Sequence, residues 1–438
     1  MFERVSRFVV LFLLPLVAPA AAQSDPLAAL PRLERDALIR AVLERNPSLQ
    51  AAREAWRAAS ARPAQARALP DPMVSYGVAP LSIGSNEAGF GQEVEVSQAF
   101  PFPGKRRARA AVAEAEAETA REEYRAARLE LATAASLLFA DYYLVDRAME
   151  INAEHLRLLD ELRAVAAARY AAGLVPQQEP LQAEVETAEL LHRGVELRAE
   201  RAVVTARINA LLHRRTDEPL PPPPARLPEP APEEEAGALE EEAVAARPEL
   251  AARAAAILSR EAELELAKLE RKPDLGVMGS YSSMWMDAEH RLMAGVSVSL
   301  PVRKERLEAA RAEAEARLAQ ERSGLAGRED EVRSEVQAAA AQLAEARHLI
   351  EIYESRLLPA SRDQIQAGRA GYESGQTGFL SILEAERSLR RAELGYHETL
   401  AGLHRRQAEL DRALGRLPAG LSEKTLMAAP AAGQGGSR

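Results

Sequence analysis

Cysteine is absent from the 438 residues, which excludes a disulfide framework, a thiol redox pair and a thiolate metal site. Aromatic residues make up only 4%, too few for one large aromatic-rich globular core. After the N-terminal segment, no uninterrupted apolar run reaches the roughly 18 residues of a membrane-spanning helix. The net charge of −10 argues against a nucleic-acid partner. There is no nucleophile elbow, phosphate-binding loop or dinucleotide fingerprint, so no enzyme activity, catalytic residue or cofactor is expected. The seven histidines form no i,i+4 pair and no His-Glu-x-x-His cluster. His397 and His404 could share a helix face, but two neutral ligands make a poor site, and no metal is expected.

What is present begins with an export signal. Arg4 and Arg7 supply a positive start, Phe8 to Val17 an apolar stretch, and Ala20-Ala21-Ala22 a small-residue cleavage site, so residues 1–22 read as a signal peptide. An exported chain without spanning helices is either soluble beyond the inner membrane or enters an outer membrane as β-strands.

The mature chain then states its pattern twice, about 200 residues apart. Asn46-Pro47-Ser48-Leu49 recurs as Arg247-Pro248-Glu249-Leu250, and Pro70-Asp71 as Pro273-Asp274. Phe100-Pro101 recurs as Leu300-Pro301, and Tyr170-Ala171-Ala172-Gly173 as Tyr372-Glu373-Ser374-Gly375. Four landmarks in one order at one spacing imply a duplicated unit. The first repeat covers residues 23–218 and the second residues 240–417. Between them residues 219–239 form a Pro-rich linker, with Pro219 to Pro232 read as a semi-rigid polyproline spacer. Residues 418–438, rich in Ala, Gly and Ser, read as a disordered C-terminal tail.

Each repeat has the same predicted order. Residues 28–66 read as a helix with a kink or break at Asn46-Pro47, closed by Pro63 and Pro70-Asp71-Pro72. A β-hairpin follows at 72–100, in which Glu93 to Ser97 alternate polar and apolar. The second hairpin, 274–300, turns Ala294, Val296, Val298 and Leu300 to one side and Gly295, Ser297 and Ser299 to the other. Residues 104–172 contain no proline, so an unbroken helix there would be on the order of 100 Å long. Residues 303–371 repeat it, with an irregularity expected at Pro359. Returning helices run from Pro180 to Arg215 and from Phe379 to Gly415, and a further helix from Glu240 to Lys268. Alanine-rich seams let such helices pack closely.

Either hairpin could be an ordinary soluble one; if instead the strands cross a membrane, four cannot close a barrel alone, because open edges would leave unpaired backbone groups in lipid. Closure takes at least about eight strands, so several chains must share one barrel.

With these features assembled, the sequence resembles the TolC-type outer-membrane efflux channels over nearly the whole mature chain. The resemblance rests on the duplicated unit and on Gln98-Ala99-Phe100-Pro101-Phe102-Pro103-Gly104-Lys105-Arg106. It rests also on the turns Tyr170-Ala171-Ala172-Gly173-Leu174-Val175 and Tyr372-Glu373-Ser374-Gly375-Gln376-Thr377. The Phe-Pro-Gly-Lys-Arg stretch looks most like the branch serving heavy-metal cation efflux. The implied fold is mainly α with a small β-barrel portion. It is an internally duplicated, long α-helical coiled-coil barrel plus four transmembrane β-strands per protomer, in a homotrimer with a twelve-stranded barrel.

The resemblance further implies a passive export duct for small molecules or metal cations. The duct would sit in the outer membrane of a Gram-negative bacterium, in contact with outer-membrane lipid, with its helical domain in the periplasm. Its implied partners are a periplasmic adaptor (membrane fusion) protein and an inner-membrane efflux pump. By the same resemblance, Gly173, Leu174, Val175, Gly375, Gln376 and Thr377 form the adaptor-contacting tip. Glu179, Gln182, Ser381 and Glu384 line the narrow periplasmic gate, where threefold symmetry would turn each carboxylate into a ring that attracts cations. Many members carry Asp at the positions of Glu179 and Ser381, so this chain departs from a strict ring of aspartates. From the residues alone, Gly173 and Gly375 are helix-ending glycines. The competing reading is a periplasmic coiled-coil scaffold or adaptor, which would need no pair of membrane-length alternating strands.

Overall fold

The computed structural model describes residue 27 and residues 30–83, 90–228, 236–285 and 288–418. The signal segment 1–22 and nearly all of the C-terminal tail lie outside the described residues, as do parts of both hairpin tips and of the linker.

The first repeat runs α1 (Arg35–Arg45), α2 (Pro47–Arg67), β1 (Met73–Val78), β2 (Gln92–Phe100), α3 (Lys105–Ala171) and α4 (Gln178–Leu211). The second runs α5 (Ala236–Ala246), α6 (Pro248–Leu269), β3 (Asp274–Ser282), β4 (Leu292–Ser299), α7 (Lys304–Ile352), α8 (Leu358–Glu373) and α9 (Phe379–Ala413). α3 is 67 residues long, about 100 Å at the α-helical rise. It holds neither Gly nor Pro, so nothing in it favours a break. Its partner in the second repeat is interrupted by a five-residue π turn, Tyr353–Leu357, immediately before Pro359. A missing N–H and a ring that crowds the preceding turn are the kind of defect that such a turn absorbs. No described helix is long and apolar enough to cross a membrane.

Three expectations change. The first helical segment starts at Arg35, not at 28, and it continues through Pro63 to Arg67. Packing along α3, including a Trp56–Tyr124 stack with centroids 5.9 Å apart, keeps α2 helical past the proline. The helix expected from Glu240 to Lys268 is two helices, because Arg247 is extended and Pro248 opens α6. Asn46 breaks the first repeat at the equivalent place, and its side chain accepts from Ser48 N–H at 2.9 Å as an N-cap. The polyproline segment is not a free spacer. Leu220 and Leu227 are buried, Pro222 O accepts from Leu33 N–H at 2.9 Å, and Tyr142 donates to Pro221 O at 3.2 Å. The strap is tied into the mid-height core with Phe139, Tyr143, Ile208, Val332 and Leu403.

The four strands make one antiparallel sheet in the order β1-β2-β3-β4. Pleating sorts their side chains. One face carries Val74, Tyr76, Val94, Val96, Leu275, Val277, Tyr281, Val296 and Val298, all of them exposed. Gln98 interrupts that face, and its Nε2 is satisfied by Pro70 O at 2.7 Å. The opposite face carries Ser75, Glu93, Glu95, Ser97, Asp274, Ser280, Ser297 and Ser299, with Met73, Met278 and Met293. One dry side, one wet side and two open edges describe part of a barrel wall, not a sheet lying on its own helices.

Candidate functional site

The helical end opposite the sheet is where the candidate tip and gate residues gather. Both long helices reverse there through the same backbone device. Gly173 (φ 72°) and Gly375 (φ 77°) are left-handed. Gly173 N–H bonds Tyr170 O at 2.9 Å and Leu174 N–H bonds Arg169 O at 2.9 Å. The second turn repeats this, Gly375 to Tyr372 at 3.1 Å and Gln376 to Gly371 at 2.8 Å. Paired bonds of this kind satisfy the last helical carbonyls, and glycine takes the left-handed position without a Cβ penalty. Leu174, Gln376 and Thr377 are exposed and Val175 is half-buried. The two turns therefore present a short, largely open rim.

Behind the rim the structure joins the two repeats. Tyr372 is buried, its ring edge-on to Phe379 at 5.5 Å and under the Arg169 guanidinium at 4.5 Å. Its hydroxyl donates to Glu179 Oε2 at 2.7 Å, and Arg169 also donates to Tyr372 O. Burial first, then the Glu179 carboxylate, push the Tyr372 hydroxyl well above the usual phenol range. Of the four gate candidates, Glu179 is thus held in a latch between repeats. Gln182 is half-buried and lines a groove of about 480 Å³ with Leu181, Val185, Leu380 and Leu383. Ser381 and Glu384 are exposed, and Glu384 lies 3.7 Å from Arg387.

Above the latch lies a buried ionic network. Glu186 is 1% exposed and accepts from Arg387 Nε at 2.9 Å and from Arg390 Nη2 at 3.0 Å. Burial alone would raise its carboxyl, but the two guanidinium groups outweigh it and hold it below the usual range. Arg390 also lies 3.8 Å from Glu386. Glu386 and Glu393 clamp His155 from both sides, Nδ1 at 2.8 Å and Nε2 at 3.0 Å. Burial alone would depress the imidazolium; the two carboxylates overcome that and raise its pKa to about 9. His397, half-buried, and His404, buried, shift the other way to about 4, chiefly through desolvation. Among the described residues no group of acidic or His side chains is arranged to hold a metal ion.

The latch and the network were not visible as sites in the sequence. Tyr372 appears there only as the start of a turn motif. Glu186 and Glu386 are two acids among 66, and nothing local marks them as buried. The one available signal was partial: His155 is a polar residue in the apolar register of Leu159 and Leu162 on α3.

The comparisons with known proteins agree with the fold. The family model described as "Outer membrane efflux protein" matches residues 38–212 and 239–416. Among curated proteins none matches the sequence. Among solved structures, the chain is similar to CusC at 19% identity and a TM-score of 0.75, over 87% of this chain and 92% of that one. It is similar to the outer membrane protein VceC of Vibrio cholerae at 20% identity and a TM-score of 0.72, over 87% and 96%. The open state of the MtrE outer membrane channel of Neisseria gonorrhoeae aligns at 20% identity and a TM-score of 0.73, over 88% and 89%. At these identities the likeness to solved structures is one of fold.

Proposed function

We propose, on the premise that this chain belongs to the outer membrane efflux protein family, a specific way in which it works. The protein is an outer-membrane efflux channel. In the proposed assembly three copies share a twelve-stranded barrel, and their helices form a periplasmic tunnel. The tunnel docks through its tip on a periplasmic adaptor served by an inner-membrane pump. The duct is passive, and the pump supplies energy and selects the cargo, small molecules or metal cations. The signal segment 1–22 is removed on export, and the two repeats, 23–218 and 240–417, alternate around the tunnel.

The observation that carries this reading is the two-faced open sheet. An exposed apolar face with unpaired edges is stable only in lipid and only when closed by further strands. A periplasmic scaffold has no use for that face. The rim of Gly173, Leu174, Val175, Gly375, Gln376 and Thr377 is the proposed adaptor contact. Glu179, Gln182, Ser381 and Glu384 are the proposed gate lining, with the Tyr372–Glu179 bond as a latch on the closed state.

Fractionation tests the core of the reading: the protein should need detergent for extraction from outer membranes, and recovery from the periplasm without detergent would overturn it. In bilayer conductance, Glu179→Gln combined with Glu384→Gln should weaken cation preference; unchanged selectivity removes these residues from the pore. Gly173→Val should impair efflux while oligomers persist.

A further inference from the structure

The duplication allows the missing contact between copies to be read from a contact inside one copy. Strand β3 is the second-repeat equivalent of β1, at an offset of 203 (274 − 71). Strand β4 is the equivalent of β2, at an offset of 200 (301 − 101). The two offsets can be checked within the chain. In the first hairpin Met73 faces Ser97; the offsets carry that pair to Gly276 and Ser297, which do face each other in the second.

The β2–β3 pair joins the first repeat to the second, and it is sealed at its helical end by a buried clamp. Lys105, the first residue of α3, is 2% exposed. Its Nζ donates to Asp274 Oδ1 at 2.9 Å, to Asp274 Oδ2 at 3.0 Å and to Lys272 O at 3.0 Å. Phe102 N–H adds a bond of 2.7 Å to the same carboxylate. Equivalent groups stand at the open edges. Lys304 is the first residue of α7, as Lys105 is of α3, and Asp71 is the repeat equivalent of Asp274; both are exposed. The edges β4 and β1 are the remaining strand pair that closure must form.

We infer that β4 of one copy pairs with β1 of a second copy in the register Ser299–Met73, Val298–Val74 and Val296–Tyr76, and that Lys304 of the first then closes on Asp71 of the second. The occupant is a second copy of this chain because the edge it must match is the chain's own β1. The faces agree independently of the offsets. Val298 and Val74 both lie on the apolar side, and Ser299 and Met73 both on the polar side. A slip of one residue would reverse every one of these side chains. Only the lysine half of the clamp carries over, because Val302 N–H is already bonded to Leu300 O at 3.0 Å. This inference rests on the reading that the barrel closes between copies, but it does not depend on the number of copies.

The native chain has no cysteine, so paired substitutions in the full-length protein introduce the only thiols. Met73→Cys with Ser299→Cys, and Val74→Cys with Val298→Cys, sample both pair types of an antiparallel ladder. On oxidation in outer membranes at least one should convert most of the protein into covalent multimers, about ten-fold more than the shifted pair Met73→Cys with Ser297→Cys, whose separation exceeds disulfide reach. Joining by the shifted pair instead, or by neither while native mass shows an oligomer, overturns the register and leaves the shared barrel standing. Absence of joining together with a single-chain native mass overturns both. For the clamp, Asp71→Lys and Lys304→Asp should each lower the temperature at which the oligomer dissociates in detergent, and the double exchange should restore it. Single variants with unchanged dissociation, or a double variant without recovery, overturn the clamp.

Discussion

The two repeats of this chain share an architecture and differ in where their polar groups find partners. In the first repeat, Lys105 reaches Asp274, Glu179 receives Tyr372, and His155 lies between Glu386 and Glu393. All three contacts cross to the second repeat of the same chain. At the matching positions, Lys304, Ser381 and Glu184 are exposed, as is Tyr170, the counterpart of Tyr372. His155 itself corresponds to the exposed Leu357 (357 − 155 = 202). The chain therefore contains one kind of repeat junction complete and the two halves of another. That is the expected state of one segment taken from a closed ring. The exposed counterparts also differ in chemistry, with Leu357 and Leu191 standing where His155 and Glu393 stand in the ionic network.

The contrast can be broken most severely at the buried network. Glu386→Ala leaves the buried His155 with Glu393 alone and Arg390 with Glu186 alone as counter-charge, a loss of about 3 kcal/mol. Its repeat equivalent Glu184 is exposed in the single chain, and Leu357 stands in place of the imidazolium that Glu386 serves, so Glu184→Ala should cost no more than about 1 kcal/mol. Thermal unfolding of the detergent-solubilised protein compares the two directly. The same network sets a pH dependence. The His155 pKa is raised from 6.5 to about 9, so its contribution is complete below pH 6.5 and is lost as pH rises through 9, up to about 3 kcal/mol. His155→Leu, which copies the second repeat, should flatten the stability profile across that window.

A sharper comparison lies at the far ends of the return helices. His213 (φ 52°) and Gly415 (φ 70°) close α4 and α9 with the same left-handed turn. A Cβ on Gly415 would stand 3.0 Å from Ala246 O. Gly415→Ala should therefore cost about 2–3 kcal/mol, strain plus crowding, whereas His213→Gly should gain about 1 kcal/mol by relieving strain alone. Chemical denaturation measures both. A smaller effect than that of Gly415→Ala is expected at the latch. Tyr372→Phe removes a hydrogen bond to a carboxylate, about 1.5 kcal/mol, and should raise the open fraction of single channels. Tyr170→Phe should leave gating closer to that of the parent.

Much of the architecture is legible in the sequence because it depends on what local chemistry forbids. A stretch of 67 residues without Gly or Pro has no alternative to a long helix. Left-handed glycines after Tyr-x-x mark both reversals, and the alternation in β4 announces its two faces. Pro63 misled because propensity is a local term, and burial along α3 outweighed it. The polyproline strap misled because composition reports stiffness but not the docking of Leu220 and Leu227. The buried ion pairs were illegible for a different reason. With 28% charged residues, a carboxylate inside the bundle looks like its solvated neighbours until the helices are brought together.

The strap that ties the two units at mid-height has one more consequence. Because both halves are translated on one chain, the proposed ring would always be supplied with unlike neighbours in equal number and in fixed alternation. The two kinds of seam can then diverge in chemistry without any step that sorts subunits. A permanently linked pair also places its two rim loops under separate selection, so in the proposed assembly the tunnel tip would present the adaptor with two unlike sockets in strict succession.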